Sequence, residues 1–115
     1  MTLADELGLI PGRVRTGCAR LDNFMGEEWV WKINLQTLDM FDECDCVGGQ
    51  LYGDYDSALR HLGFDYGNGY THGLAIDNEN DAYSDAGIEA YFHALTTAWF
   101  KRIVDLRSQR LHLQA

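Results

Sequence analysis

The chain has 115 residues, enough for one domain and too few for two ordinary ones. Hydrophobic residues make up 46% of it and aromatics 12%, so a core can be filled and wholesale disorder is excluded. Eighteen acidic against nine basic residues give a net charge of −9, which argues against a free-standing nucleic-acid binder because phosphates would be repelled.

From the start, Thr2-x-x-Asp5 signals one or two helical turns up to Leu9. Pro11-Gly12 is expected to break the chain and open a second helix from Arg13. Val14, Cys18, Leu21 and Met25 then recur at spacings of four, three and four, one apolar helical face with Arg13, Arg20 and Asp22 turned away from it. Gly17 stands mid-helix, where it costs about 1 kcal/mol relative to Ala, and Gly26 is placed to end the helix. Trp29 to Leu35 suits two readings. Trp29, Trp31, Ile33 and Leu35 alternate as in a strand, while Trp29 and Ile33 also lie one helical turn apart. At least one of the two Trp belongs to the core, and the other is a contact residue.

Asp42 is expected to cap a helix running to about Tyr52, with Cys44, Val47 and Leu51 on its face. Gly48-Gly49 weakens that helix, so a neighbouring element, a helix or a ligand, must approach its backbone. Asp54 or Asp56 can cap a short helix holding Ala58, Leu59 and Leu62, closed by Gly63. Residues 64 to 83 lack periodicity and read as a long central loop with room for a small hairpin. Ser84 or Asp85 starts the last helix, on which Ile88, Tyr91, Phe92, Leu95, Trp99, Ile103 and Leu106 keep helical spacing. Residues 108–115 read as a frayed tail. The expected fold is therefore mainly α, a single compact domain of four or five helices over residues 1–107.

The charge is uneven. Residues 38–85 hold eleven acids and one base, Arg60, whereas residues 86–115 hold two acids and four bases. Such a middle either serves solubility or meets a basic partner. Asp54 and Asp56, in a helix start, and Asp77, Glu79 and Asp81, in the loop, are the candidate binding carboxylates, with Trp31 as the aromatic contact.

Four segments carry a resemblance. They are Trp29-x-x-x-Ile33-Asn34-Leu35-x-x-Leu38-Asp39-Met40, Cys46-Val47-Gly48-Gly49-Gln50-Leu51-Tyr52-Gly53-Asp54-Tyr55, His72-Gly73-Leu74 and Ala94-Leu95-Thr96-Thr97-Ala98-Trp99. Together, over roughly residues 13 to 103, the chain resembles a group of small uncharacterised proteins of actinobacteria and their phages, mycobacteriophages among them. Gly48 stands where that pattern has Leu, and Leu74 where it has Phe. The resemblance implies a phage-type accessory protein and lends no activity, cofactor or catalytic residue.

No chemical motif is complete. Asp77, Glu79 and Asp81 match the first ligands of a calcium loop, but Ala82 replaces its glycine and Ile88 its closing carboxylate. Cys44-x-Cys46 is half of a soft-metal site, without a matching pair at Cys18, His61 or His72. Cys46 with His61 or His72 is the one Cys–His arrangement available, and acidic neighbours push its thiol pKa the wrong way for a nucleophile. Gly67-x-Gly69 lacks the third glycine of a dinucleotide loop.

The expectation is a metal-free, cofactor-free, non-catalytic binding protein for a host or phage protein with a basic surface, imitating nucleic-acid charge. The alternative is a small enzyme or ligand-binding module using His72, Asp54 and the aromatic loop near Tyr66 and Tyr70. An odd number of cysteines, acid where a signal peptide carries Lys or Arg, and no apolar run near 18 residues point to the cytoplasm, without direct contact to nucleic acid or membrane.

Overall fold

A computed structural model describes residues 2–64, 66–76 and 83–114. Its elements are α1 (Leu3–Met25), a 3-10 helix (Glu27–Trp31), α2 (Val47–Tyr52), α3 (Tyr55–His61), α4 (Tyr66–Thr71) and α5 (Asp85–Gln114). The fold is mainly α and forms one compact globule. Among the described residues there is no strand, so the hairpin considered for 64–83 is replaced, as far as that segment is described, by α4. No helix among the described residues is long and apolar enough to cross a membrane.

α1 corrects the expected break at Pro11. It starts in a capping box, where the Thr2 hydroxyl accepts the Asp5 amide and the Asp5 carboxylate accepts the Thr2 amide. It then passes straight through Pro11. Proline removes one helical hydrogen bond, at a cost of about 3 kcal/mol. Two features offset it. Ile10, Val14, Cys18 and Leu21 are buried along one face, and a buried ion pair from Glu6 to Arg13 spans the proline from either side. Arg13 is thus turned inward, not outward as its neighbours suggested. Its guanidinium also donates to the Tyr91 hydroxyl at 3.1 Å. Burial acts against that charge, yet Glu6 and Tyr91 hold the Arg13 pKa above its ordinary value.

α1 and α5 run parallel. Leu3 lies by Gly87, Arg13 bonds Tyr91, Gly17 faces Trp99 and Asp22 pairs with Arg110, so contacts advance in the same sense along both helices. α5 starts as expected, with the Ser84 hydroxyl accepting the Gly87 amide. It does not fray at 108 but continues to Gln114. Arg110 explains the extension, since it donates to both Asp22 carboxylate oxygens and to the Glu27 carbonyl.

The two Trp separate cleanly. In a 3-10 turn residues 29 and 31 point to different sides, where a strand would align them. Trp29 is fully buried, edge-on to Trp99 at 6.1 Å, with its indole N–H on the Asp22 carboxylate. Trp31 is turned outward beneath the Arg107 guanidinium, which donates to the carbonyls of Val30 and Ile33.

The helix expected from Asp42 begins only at Val47, with the Cys46 sulfur accepting the Gly49 amide as its cap. Asp42 closes a turn instead, its carboxylate accepting the amides of Cys44 and Asp45 at 2.8 and 2.9 Å. That turn folds back onto α2. A Cβ on Gly49 would strike the Glu43 carbonyl and the Cys44 backbone, while one on Gly48 would lie 2.8 Å from the Ala58 Cβ of α3. Close approach by a helix and a turn therefore accounts for both glycines. Past α4, Gly73 adopts φ +73° and brings the chain against the backbone of Arg13 and Val14. Its carbonyl accepts the Trp99 indole N–H at 2.7 Å.

Candidate docking face

The turn between the 3-10 helix and α2 sorts its side chains by local hydrogen bonding. The Asp39 carboxylate accepts the Phe41 amide, and the Met40 amide donates to the Thr96 hydroxyl of α5. Met40 is thereby drawn into the core and Phe41 is pushed out, 60% exposed. The Phe41 ring stands edge-on to Phe92 of α5 at 5.1 Å.

Clefts open on both sides of this aromatic pair. One, of about 150 Å³, has Met40, Tyr55 and Leu74 in its walls and Asp42 and Glu43 at its edge. The other, of about 460 Å³, carries Asp39 and Glu89 together with Thr37, His93 and Thr96. Next to them is Cys44, exposed, whose thiol pKa is raised by desolvation and then by the carboxylates of Asp42, Glu43, Asp54 and Asp45. Those four acids share one neighbourhood. Asp42 and Asp54 are held as carboxylates, each below its ordinary pKa, because backbone amides donate to them. The face can therefore offer an apolar slot with fixed negative charge at its edge.

Of the candidate residues, Asp54 belongs to this neighbourhood, half-buried and capping α3 through the Ser57 amide. Asp56 follows it, exposed in the first turn of α3. Trp31 is exposed as expected but sits under Arg107 near the far end of α5. Asp77, Glu79 and Asp81 lie outside the described residues. The alternative set is tied to separate elements. Asp54 turns to its own helix, His72 packs on Phe64 and bonds the Thr71 hydroxyl, and Tyr70 lies under Arg13 of α1.

Among the described residues no three His, Cys, Asp or Glu side chains gather as a metal-holding group. Cys46 is buried and its thiol pKa is raised by that burial. Burial likewise pushes the Cys18 thiol up to about 12. Neither has the depressed pKa of an activated nucleophile.

Sequence reasoning missed Phe41, Phe92, Glu43 and Glu89 as parts of a face. One signal was present, an aromatic residue set between Asp39 and Asp42 in the most acidic stretch of the chain. Comparison with protein families, with curated proteins and with solved structures returns no match.

Proposed function

We propose that the chain is a non-catalytic accessory protein of the phage type that docks on a protein with a basic surface. The observation that carries the reading is the small apolar cleft beside Phe41 with Asp42 and Glu43 at its edge. A Lys or Arg side chain is apolar along its stem and cationic at its tip, so it matches that cleft in both respects. Exposed Phe41 supplies the aromatic contact, and the carboxylates around Cys44 supply the field that speeds encounter with a basic partner. A partner that also binds nucleic acid would find the two in competition for one basic surface.

The test is selection of peptides from a displayed random library, followed by amide chemical-shift mapping of the selected binders. Binders enriched in Lys and Arg, with shifts centred on Phe41, Glu43 and Phe92, are expected. Phe41→Ala combined with Glu43→Lys should abolish that binding and leave the melting temperature unchanged, since both side chains are exposed. Shifts spread evenly over all the acidic residues, or binders without basic residues, would overturn the reading.

A further inference from the structure

α1 and α5 are in contact along the core, but on one side a groove of about 570 Å³ stays open between them. That volume is within the roughly 300–1,000 Å³ usual for small-molecule sites. Toward the starts of both helices the groove is lined by Leu7, Ile10 and Pro11 of α1 and Ala94 of α5, and Val14 and Ala98 continue the apolar wall. Arg15 of α1 and Lys101 and Arg102 of α5 also line it, with Asp105 as the one acid. Lys101 and Arg102 follow Ala94 and Ala98 along α5, while the Arg15 guanidinium lies back by Gly12 of α1.

This arrangement is unusual for the molecule that carries it. The chain as a whole has a charge of −9, yet the lining of this groove has three cations to one anion. The other basic side chains of the helix pair are occupied by the fold: Arg13 with Glu6, Arg20 with the Leu62 carbonyl, Arg107 with two carbonyls, and Arg110 with Asp22. Arg15 and Lys101 are exposed. The Nε of Arg102 is buried without a hydrogen-bond partner. An apolar lining with an excess of cations matches a ligand with an apolar tail and a single anionic head.

We infer that the α1–α5 groove binds a free aliphatic carboxylate, its chain along Ile10, Val14 and Ala98 and its carboxylate between Arg15, Lys101 and Arg102. This site is separate from the acidic face around Phe41, and neither depends on the other. Decanoate is a suitable probe, titrated calorimetrically below its aggregation concentration, with octanoate, decyltrimethylammonium and anionic phospholipid vesicles as comparisons. Decanoate should bind one to one. Octanoate, two methylenes shorter, should bind about fifteenfold more weakly, from about fourfold per buried methylene. The cation with the same tail should bind at least tenfold more weakly than decanoate. Arg15→Glu with Lys101→Glu changes two exposed residues, so the fold should be retained while decanoate binding falls at least tenfold and the preference for the anion is lost. Ala98→Trp should fill the groove and remove binding without any change of charge. Decanoate shifts should map to Val14, Thr97 and Ala98. Absence of saturable binding, equal affinity for the cationic amphiphile, full affinity in the charge-reversed variant, or binding to vesicles alone would each overturn the inference.

Discussion

Along α1 and α5 four basic side chains work for the fold, while between residues 38 and 56 Asp39, Asp42 and Asp54 bond within their own turns. Arg13 pairs with Glu6 in the interior, and Arg110 joins Asp22 to the Glu27 carbonyl. Arg107 holds Val30 and Ile33, and Arg20 reaches the Leu62 carbonyl between the rings of Phe24 and Phe64. Four of the nine bases are used in this way. In the middle segment Asp39, Asp42 and Asp54 accept amides a few residues along the chain and keep their charge near solvent. That segment is strongly acidic because residues 38–56 hold six acids and no base. One region is built by long-range packing, the other by caps and glycine-permitted close contacts.

The sharpest way to break that contrast is to truncate one aromatic in each region. Trp99 is fully buried, meets Trp29 and donates to the Gly73 carbonyl, so Trp99→Ala should cost about 3–5 kcal/mol in a denaturant melt. Phe41→Ala should stay within about 0.5 kcal/mol, since its ring is mostly in solvent. Equal losses would mean that the turn around Phe41 belongs to the core.

Next in size is the buried pair across Pro11. Glu6 is 1% exposed, so Glu6→Gln leaves the Arg13 charge without its counterion and should cost about 3 kcal/mol or more. Glu6→Leu with Arg13→Met removes both charges and should recover much of that loss, because apolar replacements of a buried pair are often neutral. Thermal melts of the single and double variants decide it. A mild single variant would remove the ion pair from the reasons that α1 runs unbroken.

A smaller effect compares two glycines of the same helix. A Cβ at Gly17 would collide with the His72 carbonyl and press on the Trp99 ring, so Gly17→Ala should lose about 1–3 kcal/mol. Gly8 has open space around that position, and Gly8→Ala should gain about 1 kcal/mol from helix propensity alone. Opposite signs in the two melts confirm that α1 meets α4 and α5 only on one face.

These positions also mark what could be read from the chain. The spacing of Tyr91, Leu95, Trp99 and Ile103 is local information, and every one of those side chains is fully buried. The cap at Asp54 is local too, since its partner is three residues away. The inward turn of Arg13 is not local, because its hydroxyl partner lies 78 residues further on. Nor is the course of the last turns of α5, which depends on Asp22, 88 residues before Arg110. The groove of cations was hidden for the same reason. Arg15 and Lys101 belong to opposite ends of the chain, and only the parallel packing of α1 and α5 unites them. In the middle segment the acids were visible, but which hydrophobic residue would turn outward among them was decided by the Met40–Thr96 bond.

The smallest predicted effect tests the caps of the middle segment. Asp42 and Asp54 both have pKa values lowered from 3.8 in the folded chain, because amides of Cys44, Asp45 and Ser57 donate to the ionised carboxylate. A depressed folded pKa means that the unfolded chain takes up protons first. The stability these groups contribute is therefore complete above pH of about 3.8 and is lost as pH falls toward the lower folded values. Asp42→Asn with Asp54→Asn should flatten the acid limb of melting temperature against pH below that point. At neutral pH the double variant should melt only slightly lower, as Asn still caps. If the acid limb keeps its slope, the ionised caps do not hold the middle segment in place.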